Sequence, residues 1–148
     1  VYAAGWFLPY GILHAQNMLT GATASSTYQS DVNLDGVYDA KDRLSTKSLF
    51  CLVSAASFSC SNFLASVLRD SDQVRLLGRK TRGGSCIVQY LSLADGTLFQ
   101  TSGNRQLASV KNGAYQNIDD GVDVDYTIAN LADFYNREAL TAKLDALY

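Results

Sequence analysis

Two stretches of this chain combine residue types and spacing that can do chemistry. The first is Ser57-Phe58-Ser59-Cys60-Ser61-Asn62, a run of hydroxyl, thiol and amide groups between an apolar segment and an amphipathic one. A hydroxyl at a helix start lies beside unsatisfied backbone N–H groups and a partial positive charge, surroundings that favour an oxyanion after attack on a carbonyl. The same residue types are good helix caps. Residue type alone therefore leaves Ser57, Ser59, Ser61 and Asn62 equivalent. The second stretch is Asp31-Val32-Asn33-Leu34-Asp35-Gly36-Val37-Tyr38-Asp39-Ala40-Lys41-Asp42. Its oxygen donors fall where a calcium loop places them, with Gly36 at the sharp bend. The expected Ca²⁺ ligands are Asp31, Asn33, Asp35, the Val37 carbonyl and Asp42, with Asp39 reaching through water. The competing reading is an Asx-rich turn about Asp35-Gly36 that holds no metal.

Proton acceptors are few. His14 is the only histidine, and Lys80 precedes Thr81 at a strand end. Asp119 and Asp120 stand before Gly121, where turn acids are ordinarily solvated. Cys51, Cys60 and Cys86 cannot all pair within one chain and lack zinc-knuckle spacing, so buried free thiols are expected.

The elements that must position these groups follow from periodicity. Leu49 to Val53 is a continuous apolar run of strand length, the pattern of a strand covered on both faces. Phe63, Leu64, Val67 and Leu68 then recur at helical spacing. Val74 to Leu77 reads as the next strand, ended by Gly78. Strand, turn, helix, strand points to α/β architecture with a parallel sheet. Cys86 to Leu93 and Thr97 to Thr101 form a hairpin about Asp95-Gly96, and Asn112-Gly113 is a second turn. Tyr2 to Leu8 reads as a helix end stopped by Pro9. Asn17 to Ser30 reads as an irregular connection, Arg43 to Lys47 as a short helix, and Phe134 to Leu147 as a closing amphipathic helix.

The strand, serine turn and helix resemble the tail-specific, or C-terminal-processing, serine peptidases. In that family the turn reads Ser-Ala-Ser-Ala-Ser-Glu, and the following strand ends in Gly before Thr-x-Gly-Lys-Gly. The run from Ser57 to Asn62, then Gly78, then Thr81-Arg82-Gly83-Gly84-Ser85 is similar without a gap. Gly121-Val122-Asp123-Val124-Asp125 is similar to the family's Gly-Ile-x-Pro-Asp, with Val124 in place of proline. The resemblance implies a crotonase/ClpP-like α/β peptidase fold, with residues 1–148 as the C-terminal portion of the catalytic domain. It implies Ser59 as nucleophile and the backbone N–H of Cys60 as an oxyanion contact. Where the family has its lysine base, this chain has Gly84. That departure is similar to the branch using histidine, in which the histidine precedes the nucleophile. The base and the oxyanion loop Asp-x-x-x-Asn-x-Gly-Gly are then expected upstream of Val1, leaving this segment an incomplete or inactive site by itself. The Asp at position 12 of the aspartate loop resembles dockerin loops.

Composition bounds the alternatives. The chain has 148 residues, 47% of them hydrophobic, enough for one core. A net charge of −2 with scattered basic residues gives no footprint for nucleic acid. The apolar start, Val1 to Leu13, is too short to span a bilayer and lacks signal-peptide features. The expected partners are a polypeptide substrate and the upstream part of the catalytic domain, and a calcium loop suits a secreted or cell-envelope setting. The expected function is serine-type endopeptidase activity near polypeptide C-termini. The alternative is a non-catalytic module that docks or binds peptides along a sheet edge.

Overall fold

The computed structural model of the chain describes residues 5–43, 49–71 and 73–147. Within them the strands are β1 (Tyr10–Asn17), β2 (Thr23–Gln29), β3 (Leu49–Val53), β4 (Val74–Gly78), β5 (Cys86–Ser92), β6 (Leu98–Lys111), β7 (Ala114–Asn117) and β8 (Tyr126–Thr127). The helices are α1 (Cys60–Arg69) and α2 (Arg137–Asp145), with 3₁₀ turns at Ala40–Asp42 and Leu131–Phe134.

The parallel α/β expectation holds for one of two sheets. Strands β3, β4 and β8 pair in parallel in that order, Leu49 opposite Val74 and Leu77 opposite Tyr126. The other sheet is antiparallel, ordered β2-β1-β6-β5 with β7 also on β6. Helix α1 packs against β4 and β3 of the first sheet and β6 and β1 of the second. The core forms where they meet: Val53, Ala65, Leu76, Ile118 and Val122, with Cys51, Phe63, Leu107 and Val124 packed around them. Leu76 and Leu77 are completely buried. Coverage on both faces belongs to β4, however. β3 lies at the edge of its sheet among the described residues, and Leu52 is exposed.

Both dipeptide turns form where expected, Asp95-Gly96 joining β5 to β6 and Asn112-Gly113 joining β6 to β7. Three expectations need correction. Asn17 to Ser30 is not irregular: β2 pairs along β1 from Tyr10 opposite Gln29 to Gln16 opposite Thr23. All of β2 except Tyr28 is exposed, so its sequence carries no apolar alternation to read. Cross-strand bonding of the Thr- and Ser-rich backbone fixes it instead. The closing helix begins later than Phe134, because Asn136 caps it, its side chain accepting from Glu138 and Ala139 N–H at 3.0 and 3.1 Å. No residue of α2 is buried, so it does not close the core. The helix expected over Arg43 to Lys47 falls mostly outside the described residues, and the local turn is the 3₁₀ segment before it. Of the helix expected over Tyr2 to Leu8, residues 5–8 are described: Gly5 is helical, and the chain then turns through Trp6 and Phe7 towards β1.

Candidate active site

The serine run separates once its main chain is placed. After β3 a tight turn brings the Ser57 N–H to the Ser54 carbonyl at 2.8 Å, and Ser57 Oγ accepts from the Ser54 N–H at 3.2 Å. Phe58 then forms a parallel bridge with Gly83, and the Ser59 N–H donates to the Gly83 carbonyl at 2.8 Å. Asn62 is fully buried in α1. Ser59 stands at the N-cap of α1 with φ 56° and ψ −118°, is exposed, and makes no capping bond through its side chain. That backbone conformation costs a non-glycine residue roughly 1–3 kcal/mol, and such strain gathers at functional sites. The N–H of Cys60, in the first helical turn, is among those without an intrahelical acceptor.

What holds Ser59 there is a buried polar network. The Thr81 hydroxyl donates to Asn62 Oδ1 at 2.5 Å and accepts from the Val122 N–H at 2.6 Å, while Asn62 Nδ2 donates to the Ile118 carbonyl at 2.9 Å. Main-chain bonds from Thr81 N–H to Val122 O and from Gly84 N–H to Asp119 O lock the same loops together. Asp119 Oδ1 accepts from both the N–H and the hydroxyl of Ser85, at 2.8 and 3.1 Å. Asp119 therefore braces the Gly83-Gly84 turn. Asp125 braces β4, its carboxylate accepting from the Leu76 N–H at 2.7 Å. Asn62 and Asp119 were candidates by residue type, but their bonds to Thr81 and Ser85 were not legible in the sequence. A signal existed for Thr81, which heads the family-like Thr-x-Gly motif, and for Asn62, which stands where the family motif has Glu.

Gly83 and Gly84 have φ of +86° and +79°. A Cβ on Gly83 would lie 1.6 Å from the Asp119 carbonyl oxygen, and one on Gly84 would lie 2.5 Å from the Phe58 ring. Position 84 thus has both a glycine backbone and an aromatic neighbour in the space a side chain would enter. The other expected proton acceptors are engaged elsewhere. Lys80 Nζ lies 3.9 Å from Asp123. His14, in the antiparallel sheet, places Nδ1 2.8 Å from Ser25 Oγ and its ring edge-on to Tyr115 at 5.6 Å. Asp120 is an exposed turn residue. Among the described residues, no hydrogen bond joins the Ser59 side chain to His14, Lys80 or a carboxylate. The three cysteines are free, Cys60 exposed, and burial pushes the Cys51 thiol pKa up.

The aspartate loop closes largely on its own amides. Asp31 accepts from Asp35 and Gly36 N–H at 3.2 and 2.8 Å, Asn33 Oδ1 from Asp35 N–H, and Asp35 Oδ1 from Val37 N–H. Asp39 caps the 3₁₀ turn, and Asp42, only 1% exposed, completes a capping box. The Asp42 carboxylate accepts from Val32, Asn33 and Asp39 N–H groups. Burial raises its pKa, but those three donors outweigh burial and hold it below the ordinary value. Among the described residues, no group of three or more His, Cys, Asp or Glu side chains stands in metal-holding geometry.

A serine at positive φ thus stands at a strand-to-helix junction beside a glycine turn and a buried polar network, on a mixed α/β frame. The family model described as Peptidase family S41 matches residues 3–128, and the chain belongs to that family. Among solved structures, a protein from Parabacteroides merdae ATCC 43184 classed as a peptidase is similar at 19% identity and TM-score 0.64. The match covers 98% of this chain and 45% of that one. The photosystem II D1 C-terminal processing protease is similar at 23% identity and TM-score 0.63, over 85% of this chain and 29% of that one. A lipoprotein from Streptococcus agalactiae shares the fold at 11% identity and TM-score 0.59, over 95% and 48%. The chain thus spans less than half the length of these solved relatives. A comparison with curated proteins returned no match. No described helix is long and apolar enough to cross a membrane.

Proposed function

We propose that this chain carries the nucleophile of a serine-type endopeptidase that cuts peptide bonds near polypeptide C-termini, with Ser59 as that nucleophile. The observation that carries the reading is the backbone of Ser59, an exposed residue held in a strained conformation at a helix N-terminus. Ser59 Oγ would attack the scissile carbonyl carbon as a base removes its proton, forming a tetrahedral oxyanion. The Cys60 N–H and the helix dipole would stabilise that charge. The returning electron pair would expel the amine as it takes up the proton, and water would release the acyl group. The base would be a histidine supplied by a segment N-terminal to this one, since Gly84 occupies the place of the family's lysine. Envelope or extracellular placement fits this reading and the lipoprotein neighbour. In the full-length protein, Ser59→Ala should abolish both hydrolysis and fluorophosphonate labelling. Full labelling of that variant would overturn the assignment. Labelling absent from both proteins, with peptide binding intact, would favour the non-catalytic peptide-binding module.

We also propose that the loop at Asp31–Asp42 takes a structural Ca²⁺ through Asp31, Asn33, Asp35, the Val37 carbonyl and Asp42, with Asp39 through water. What supports it is the donor set and spacing: Asp31, Asn33 and Asp35 converge on one bend, where unshared carboxylate charge would repel. Ligation would require the side chains to turn partly from the loop amides. Calorimetry tests it directly; absence of heat on adding Ca²⁺, with a melting temperature indifferent to Ca²⁺ and chelator, would reject the site.

A further inference from the structure

At Phe58, the residue before Ser59, the surface is hollowed into a cavity of about 370 Å³ lined by Ala55, Ala56, Phe58 and Arg82. Its position is set by the main chain that sets Ser59. Phe58 precedes the serine and bridges Gly83; the Arg82 N–H donates to the Ser57 carbonyl at 2.9 Å, and the Ser59 N–H to the Gly83 carbonyl. Arg82 is exposed, and among the described residues no carboxylate forms an ion pair with it. Lys80 faces Asp123, and Asp119 holds Ser85. An arginine lining a cavity together with two alanines and a phenyl ring is suited to one ligand chemistry. Its fork matches a carboxylate in two parallel hydrogen bonds, and apolar walls reduce competition from water.

We propose that this cavity is the subsite for a carboxylate carried by the substrate close to the scissile bond, with Arg82 as the specificity-determining residue. The proposal rests on the reading of Ser59 as nucleophile and names the substrate class for it. The carboxylate is the side chain of an Asp or Glu beside the bond. A peptide library digested by the full-length protein and read by mass spectrometry tests this. The expected result is about tenfold enrichment of Asp and Glu over Asn and Gln beside the cut, the scale of a charge-assisted contact. Arg82→Glu should shift that preference to Lys and Arg, while Arg82→Lys should retain part of it.

A binding arm needs no turnover. The Ser59→Ala protein should bind Asp-containing peptides about tenfold more tightly than their Asn or Lys counterparts, by fluorescence anisotropy. Equal affinities for the three, or a Ser59-dependent cleavage preference unchanged in Arg82→Glu, would overturn the subsite and leave the nucleophile standing. Cleavage that survives Ser59→Ala would overturn the nucleophile, and the binding arm would still decide the cavity.

Discussion

The strain at Ser59 can be measured by comparing two substitutions at the same position. Ser59→Ala removes the hydroxyl but keeps Cβ, and therefore keeps the penalty of φ 56° and ψ −118°. Ser59→Gly removes both. Because the Ser59 side chain makes no capping bond, neither change sacrifices a cap. Relief of the strained conformation is worth roughly 1–3 kcal/mol, and the extra freedom of glycine in the unfolded chain takes back about 0.5–1 kcal/mol. Ser59→Gly should therefore be more stable than Ser59→Ala by about 1 kcal/mol, or about 3 °C in melting temperature for a domain of this size. Urea denaturation at equal m-value is the assay. Both variants should lose fluorophosphonate labelling, so stability and reactivity part at one residue. A glycine variant no more stable than the alanine variant would refute the idea that the serine is held under strain.

Three further outcomes follow from the bonds around that serine and the loop before it. Thr81→Val keeps the shape but strands the Val122 N–H and one acceptor of buried Asn62; at about 1–3 kcal/mol per stranded group, the urea midpoint should fall clearly and labelling at Ser59 should slow. The lowered pKa of Asp42 contributes stability that is present above its unfolded value, 3.8, and is lost as pH falls through the lower folded value. Asp42→Asn should accordingly flatten the acid limb of the stability profile below about pH 4, as read by melting temperature against pH. Iodoacetamide should modify exposed Cys60 well before Cys51, whose pKa is raised by burial; mass spectrometry of the tryptic peptides distinguishes them, and equal rates would contradict the burial.

The local signals in the sequence were reliable where a residue's neighbours along the chain decide its structure. The apolar run at Leu49–Val53, the helical spacing from Phe63 to Leu68 and the Asp95-Gly96 and Asn112-Gly113 turns each lie where periodicity and turn chemistry put them. The same signals were silent for β2, whose polar residues are strand only because β1 lies alongside. They overextended the last helix, which Asn136 restarts and no core covers.

The sequence by itself determined that a serine-rich turn joins a strand to a helix, that Gly84 stands where the related peptidases have lysine, and that six donors crowd the loop from Asp31 to Asp42. It could not rank Ser57, Ser59, Ser61 and Asn62 by residue type. The tertiary structure distinguished them: Ser57 closes a turn, Asn62 is buried on Thr81, and Ser59 alone of the four is held at positive φ. It also showed that the Phe58 ring fills the space above Gly84 and that Asp119 braces Ser85 rather than standing free. The physical reason is separation along the chain. Ser59 is set by Gly83, Asn62 by Thr81 and Ile118, and Ser85 by Asp119, and no local periodicity records a hydrogen bond made across such distances.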